Sequence, residues 1–331
     1  MGGYNYGVSY LGGKCTLASQ IFAQFPAGFD TFVDPFAGGM SMSHYAALQG
    51  FSRVIANDLD GKAMSIFREY ISGAPPMRGF VGRYQFNRYK GGTSRFCAIM
   101  RMIYGFSGNC YSYMYCKARE MYSQAVNDAL FFCDFQPLRM IFGERIASAM
   151  CDFCAGFDAE LPLRERHRAF IHKIAEFTDF SMKAAGIDEK KRTSPIDAYR
   201  VNHIERIVRL ENLARDKDAC SRIEYHCTDY RCIDIPSHSL IYCDPPYFGR
   251  VSYGYAGDFN RADFLDWAEM QAKRGNAVFI SEYEIDDPRF VCVWSKEKKT
   301  RMGNENSGHE VERLFTWRGS VGTTGGLAGV R

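Results

Sequence analysis

Residues 239–247 read Ser239-Leu-Ile-Tyr-Cys243-Asp244-Pro245-Pro246-Tyr247. The apolar run predicts a buried strand, and the two prolines stop it, because proline fixes φ and offers no N–H to a ladder. The surroundings repeat this pattern. Downstream, a helix over Arg261–Arg274 leads into a strand over Ala277–Ser281. Upstream, Thr31–Asp34 runs into Pro35-Phe36-Ala37-Gly38-Gly39 and then a helix. Arg53–Asn57 ends at Asp58 before a helix over Gly61–Ile71, and a helix over Ile196–Arg215 precedes a strand over Ile223–Cys227. Strands alternating with helices predict a parallel α/β sheet. Phe290–Ser295 and Val311–Trp317 read as a closing antiparallel pair around a polar loop.

Between residues 75 and 194 the texture changes. Gly73-Ala-Pro-Pro76 breaks the alternation, and order returns at Ser194-Pro195, a cap and first-turn pair. The expectation is a discontinuous domain of residues 1–74 and 195–318, a mainly helical insertion over 75–194, and a glycine-rich flexible tail over 319–331. The chain has 331 residues, 46% hydrophobic and 24% charged, the composition of an ordinary globular protein. Nothing approaches the ~20 apolar residues of a membrane span, and the opening MGGYNYGVSYLGGK lacks the basic and apolar regions of a secretory leader. A cytoplasmic protein is expected, with its twelve cysteines reduced. Cys151 and Cys154 form a C-x-x-C with no second pair at zinc-ribbon distance, so no metal site is expected.

In an open α/β sheet ligands bind beyond the carboxyl ends of the strands, where Asp244-Pro245-Pro246-Tyr247 falls. These four residues offer a carboxylate, carbonyls freed from the ladder and an aromatic face. That set suits a planar base with an exocyclic amine: Asp244 and the Pro245 carbonyl take the two amino hydrogens, Pro246 stiffens the turn and Tyr247 stacks on the ring. At the end of the first strand, glycines let a ligand approach the backbone closely. The spacing is not the G-x-G-x-x-G of dinucleotide binders, and Asp34 would repel a pyrophosphate. A carboxylate there suits a cationic ligand end, such as the amino and sulfonium groups of S-adenosylmethionine. Asp58, ending the next strand, is placed for a ribose diol. Tyr10-Leu-Gly12-Gly13-Lys14 lacks the phosphate-loop pattern, and its lysine is suited to neutralising a carboxylate.

The net charge of +3 says little, but its distribution says more. From Arg78 to Arg119 the chain holds eight basic residues, ten aromatics and no Asp or Glu. Basic side chains neutralise phosphates, and aromatic faces stack on bases. Arg83, Arg88, Lys90, Arg95 and Lys117 are therefore candidate nucleic-acid contacts.

Taken in order, Tyr10-Leu-Gly-Gly-Lys14, Asp34-Pro-Phe-Ala-Gly-Gly39, Asn57-Asp58 and Asp244-Pro-Pro-Tyr247 resemble the Dam-type (alpha-group) DNA adenine methyltransferases. Ser107-Gly-Asn109 with Tyr113-Met-Tyr115, Thr228-Asp229-Tyr230, Phe279-Ile-Ser-Glu-Tyr283 and Glu312-Arg-Leu-Phe315 extend the resemblance, and the texture is closest to phage and prophage members. The resemblance implies an α/β, Rossmann-like S-adenosylmethionine-dependent methyltransferase fold, a mixed seven-stranded sheet with an inserted, mainly helical target-recognition domain. By position it implies that Tyr10, Gly13, Lys14, Asp34, Phe36, Gly38, Asp58, Asp229 and Tyr230 line the cofactor site. It implies that Asp244, Pro245 and Tyr247 hold a flipped adenine of duplex DNA, and it adds Asn109 and Tyr113 to the nucleic-acid contacts. The resemblance implies a bacterial or phage-infected cell as the protein's setting, and leaves open monomer or weak dimer and the presence of a restriction partner. Met40 departs from the family, where many relatives have a third glycine. Methylation of RNA, or an inactive DNA-binding relative, remains compatible with the residues, while protein-glutamine methyltransferases carry Asn in place of Asp244.

Overall fold

The computed structural model of the protein describes residues 6–10, 12–75, 77–106, 112–158, 160–177, 199–247, 259–298 and 310–320. Asn109, the Ser194-Pro195 boundary, the polar loop before Glu310 and the tail beyond Ser320 lie outside the described residues. The chain divides into two compact units, one of residues 1–7, 13–65 and 216–331, the other of residues 8–12 and 66–215. The first unit opens with α1 (Ala18–Phe22), β1 (Thr31–Asp34), α2 (Ser41–Leu48), β2 (Arg53–Asn57) and the start of α3 (Lys62–Ile71). After the end of α3, the described part of the second unit is helical. It holds α4 (Arg83–Tyr89), α5 (Arg95–Tyr104), α6 (Lys117–Phe132), α7 (Gln136–Phe142), α8 (Glu144–Ala155), α9 (Leu163–Phe177) and α10 (Asn202–Leu213). The first unit resumes with α11 (Lys217–Cys220), β3 (Ile223–His226), β4 (Ser239–Cys243), α12 (Arg261–Lys273), β5 (Ala277–Glu282), β6 (Phe290–Lys298) and β7 (Glu310–Trp317).

The seven strands form one mixed sheet in the order β3-β2-β1-β4-β5-β7-β6. β1 to β5 are parallel, and Val33 of β1 lies between Ile55 of β2 and Ile241 of β4. All five residues of β4 are buried, which is why it reads as a continuous apolar run rather than an alternation. Each large apolar side chain buried there contributes roughly 1.5–3 kcal/mol. The strand order reverses between β1 and β4, which makes their carboxyl ends the topological switch point.

The closing pair is antiparallel as expected, but β7 is inserted between β5 and β6, with a bulge between Cys292 and Trp294. β6 runs to Lys298, three residues beyond the expected end. As the edge strand it pairs on one side only, through Lys296 to Glu312 and Glu297 to Val311, so polar residues are accommodated there. Met40, the departure from the family glycine, holds the left-handed backbone a glycine would favour (φ 64°, ψ 18°) and is fully buried. That conformation costs a non-glycine residue about 1–2 kcal/mol.

In the second unit, α6 buries Tyr122, Ala125, Val126, Ala129 and Leu130, one face at the helical period. Among the described residues, no helix is long and apolar enough to cross a membrane.

Candidate active site

The ends of β1, β2 and β3 are tied by one buried side chain. The Asn57 amide donates to the Pro35 and Thr228 carbonyls, both at 3.0 Å, and its oxygen accepts from the Thr228 N–H at 3.0 Å. The Ala37 N–H donates to the Asn57 carbonyl at 2.7 Å, and the Gly38 N–H to Asp58 Oδ2 at 2.8 Å. The glycine loop is thus held open beside Asp58, whose other oxygen accepts from the Asp60 N–H at 2.9 Å. From the N-terminal side Gly7 packs so closely that an added Cβ would lie 2.2 Å from the Gly39 carbonyl oxygen. Its N–H donates to His44 Nδ1 at 3.0 Å, and His44 Nε2 faces Asp216 at 3.1 Å. His44 and Asp216 in this role are not visible in the sequence, since no local pattern joins them to Gly7.

Asp34 ends β1 inside this frame. Ser43 donates to its Oδ2 at 2.7 Å, while Oδ1 is buried and has no hydrogen-bond partner among the described residues. Burial, reinforced by the negative charges of Asp244 and Asp58, pushes its carboxyl up to about 7 against the opposing Ser43 hydroxyl and Phe36 N–H. Burial also raises Asp58. Phe36 lies 5.2 Å from Tyr230, and both belong to a cluster with Phe259, Phe264 and Trp267. Asp229 caps the turn at Tyr230 and pairs with Arg231 through both oxygens at 2.8 and 2.7 Å, which holds its carboxyl below the usual range.

At the end of β4 the structure brings Lys14, Tyr283 and Glu312, far apart in sequence, against Asp244 and Tyr247. Lys14 donates to Asp244 Oδ1 at 2.7 Å and Oδ2 at 2.6 Å, and its ammonium lies 3.5 Å from Glu312 of β7. The Tyr247 hydroxyl donates to Glu312, its ring meets Tyr283 edge-on at 4.6 Å, and the Lys14 ammonium sits 4.9 Å from its centroid. Lys14 is only 4% exposed, whereas the Asp244 side chain is 20% exposed. Burial alone would lower the Lys14 ammonium, but the two carboxylates hold it above its ordinary range. Burial raises Asp244, with Lys14 opposing and Glu312 reinforcing, and burial also places the Tyr247 hydroxyl far above its ordinary range. Glu312 entered the sequence reading only through the resemblance, because β7 reaches this point by sheet topology. Beside the turn, a pocket is lined by Pro245, Pro246, Phe259, Phe264, Ile280 and Glu282.

Asp244 and Glu312 flank Lys14, and Asp34 lies within electrostatic reach of Asp244 and Asp58. Buried negative charge with an unpartnered oxygen fits a cationic ligand, and the amino and sulfonium groups of S-adenosylmethionine meet that requirement. Among the described residues no group of three or more His, Cys, Asp or Glu is placed to hold a metal ion. Gly13 is exposed at the turn before Lys14, and Tyr10 is exposed in the second unit.

The basic segment of the second unit splits in two. Arg88, Arg95 and Lys117 are exposed, Lys90 is half-buried, and Tyr84 is 75% exposed, with Tyr89 and Phe96 also at the surface. Arg83 donates to the Tyr115 carbonyl and lies 3.7 Å from Glu120, and Arg95 pairs with Glu69. Arg101 instead donates to the Lys90 and Gly92 carbonyls at 2.7 Å, and Arg119 is buried against the Arg200 carbonyl. Tyr113 is a correction to the expected nucleic-acid contacts. It is 8% exposed, its hydroxyl donates to the Val81 carbonyl at 2.8 Å, and its ring stacks near Tyr104. A ring held that way is part of the core, because exposing it would break the hydrogen bond and open a cavity.

A mixed seven-stranded sheet in this order, flanked by helices and with its acidic site at the switch point, is consistent with an α/β methyltransferase fold. Residues 10–86 match the family model of D12 class N6 adenine-specific DNA methyltransferases. The matched stretch includes Lys14, Asp34, Gly38 and Asp58, and the match supports DNA adenine-N6 methyltransferase activity. No curated protein matches the chain.

Proposed function

We propose that the protein methylates the exocyclic amino nitrogen of an adenine flipped out of duplex DNA, using S-adenosylmethionine, as a Dam-type enzyme of phage or prophage kind. The reading rests on one juxtaposition: Asp34 and Asp244 end the neighbouring parallel strands β1 and β4, the first with an unpartnered oxygen and the second leading into Pro245-Pro246-Tyr247. When bound, S-adenosylmethionine would supply an electrophilic methyl whose leaving group is the neutral thioether, which keeps the electron pair of the C–S bond. Asp34, Gly38, Asp58, Asp229, Phe36 and Tyr230 are the residues that would hold it. Asp244 and the Pro245 carbonyl accept the two amino hydrogens of adenine. Those bonds favour a pyramidal nitrogen with a localised lone pair, where the free base delocalises it into the ring. Alignment of this kind supplies up to ~7–11 kcal/mol, and no strong base is required because the proton leaves after transfer. Tyr247 presents its ring to the base.

A target inside a duplex is out of reach, so the base is extruded at a cost of a few kcal/mol. Arg88, Lys90, Arg95 and Lys117 offset that cost through phosphate contacts, with residues 75–194 acting as the target-recognition part in the cytoplasm of a bacterial or phage-infected cell. The test is a competition with methyl-labelled S-adenosylmethionine, in which adenine-containing duplex DNA and RNA of the same sequence are offered together. Label is expected in the DNA. Label confined to the RNA would replace DNA by RNA as the substrate.

A further inference from the structure

The Lys14, Asp244, Tyr247 and Glu312 group carries a consequence for the function proposed above, on which this inference rests. An adenine amine needs acceptor positions on Asp244, yet the Lys14 ammonium spans both of its oxygens, at 2.7 and 2.6 Å. The Lys14 side chain is 4% exposed, so its ammonium cannot simply turn into water. With Asp244 withdrawn, a buried ammonium needs a closer anion, because weakly compensated buried charge is costly. A second anion is at hand. The Glu312 side chain is 1% exposed, and its Oε1 lies 3.5 Å from the ammonium, less than 1 Å beyond charge-assisted hydrogen-bond length of ~2.8 Å.

We propose that Lys14 exchanges between two carboxylates: the incoming amine takes Asp244 and the ammonium passes to Glu312, which makes Glu312 the positioning residue that opens Asp244 for the substrate. The charge balance favours this order. As the adenine nitrogen gains its methyl it becomes cationic until it gives one amino proton to solvent water. A carboxylate relieved of its lysine stabilises that charge better than one still neutralised, so the gain appears in the transition state. The Tyr247 hydroxyl, already donated to Glu312, keeps that acceptor in place while the ammonium arrives.

The test uses the whole protein at saturating S-adenosylmethionine and compares Glu312→Gln, Lys14→Met and the double variant in single-turnover methylation of duplex DNA. Glu312→Gln keeps an acceptor for Tyr247 but removes the anion that receives Lys14, so it is expected to lower the rate about 10- to 100-fold. Its affinity for S-adenosylmethionine should stay within about twofold of wild type. Adding Lys14→Met to Glu312→Gln removes the cation left on Asp244 and should raise the rate above that of Glu312→Gln alone. If Glu312→Gln does not fold, Glu312→Asp takes its place, with the same rescue expected because the shortened carboxylate no longer meets the ammonium. A double variant no faster than the Glu312 variant, or a Glu312→Gln enzyme at wild-type rate, overturns the exchange. A wild-type protein that methylates no adenine fails the functional reading instead.

Discussion

The two units present opposite charge, and they present it differently. In the first, Asp34, Asp58 and Asp244 stand at the carboxyl ends of neighbouring strands, Asp244 and Glu312 hold Lys14, and Asp34 and Glu312 are almost fully buried. In the second, the segment from Arg78 to Arg119 is basic with no acid in its sequence, and Arg88, Arg95 and Lys117 stand exposed. Buried charges are little screened by salt but shift their proton affinity, while exposed charges are screened beyond ~10 Å at 0.1 M salt. The first unit should therefore answer to pH and the second to ionic strength.

The largest expected effect is at Asp244. Asp244→Ala should lower single-turnover methylation by roughly 100- to 1000-fold while leaving S-adenosylmethionine affinity near wild type. Turnover at the wild-type rate would remove Asp244 from the chemistry. Next is Asp34, whose carboxyl is pushed up to about 7. A cationic cofactor selects the ionised form, so its affinity should rise between pH 6 and 8, by up to ~10-fold per unit below the pKa. Asp34→Asn should bind weakly with a flat profile, which calorimetry would record. Because the folded-state pKa is raised, the protonated carboxyl favours the fold at low pH. That contribution is lost as pH rises from about 4 through about 7, so the unliganded wild type should lose thermal stability across this range relative to Asp34→Asn.

In the second unit, Arg88→Gln, Lys90→Gln and Arg95→Gln together should weaken DNA binding and flatten the slope of log affinity against log salt, by up to roughly 2.7 if all three meet phosphates. Arg95 already pairs with Glu69, so a smaller change would assign the contacts to Arg88 and Lys90. An unchanged slope with unchanged affinity would mean that this face does not carry the DNA. The smallest effect is Tyr113→Phe. It removes the hydrogen bond to the Val81 carbonyl and should cost about 1 kcal/mol in thermal unfolding with DNA affinity intact. Weaker DNA binding at unchanged stability would return Tyr113 to the interface.

The same contrast explains what the sequence made legible. Asp34, Asp58 and Asp244 stand where apolar runs end, and in a parallel sheet the end of a run is the mouth of the site, so local pattern located them. The strands were legible for the same reason, as apolar runs bounded by Gly, Pro and Asp. The insertion of β7 between β5 and β6 was not, because an antiparallel pair reads alike with either member inside. The convergence of Lys14 and Glu312 on Asp244 depends on that sheet order, and no local signal carries it. In the basic segment only composition was available. It could not separate exposed Arg88 from Arg101, which caps carbonyls, or exposed Tyr84 from buried Tyr113.

The most direct measurement of the central claim is mass spectrometry of nucleosides from duplex DNA incubated with the protein and S-adenosylmethionine bearing a heavy-isotope methyl group. Labelled N6-methyladenine is expected from the wild type and close to none from Asp244→Ala. Label on cytosine, or labelled N6-methyladenine undiminished in Asp244→Ala, would contradict an amine held at Asp244.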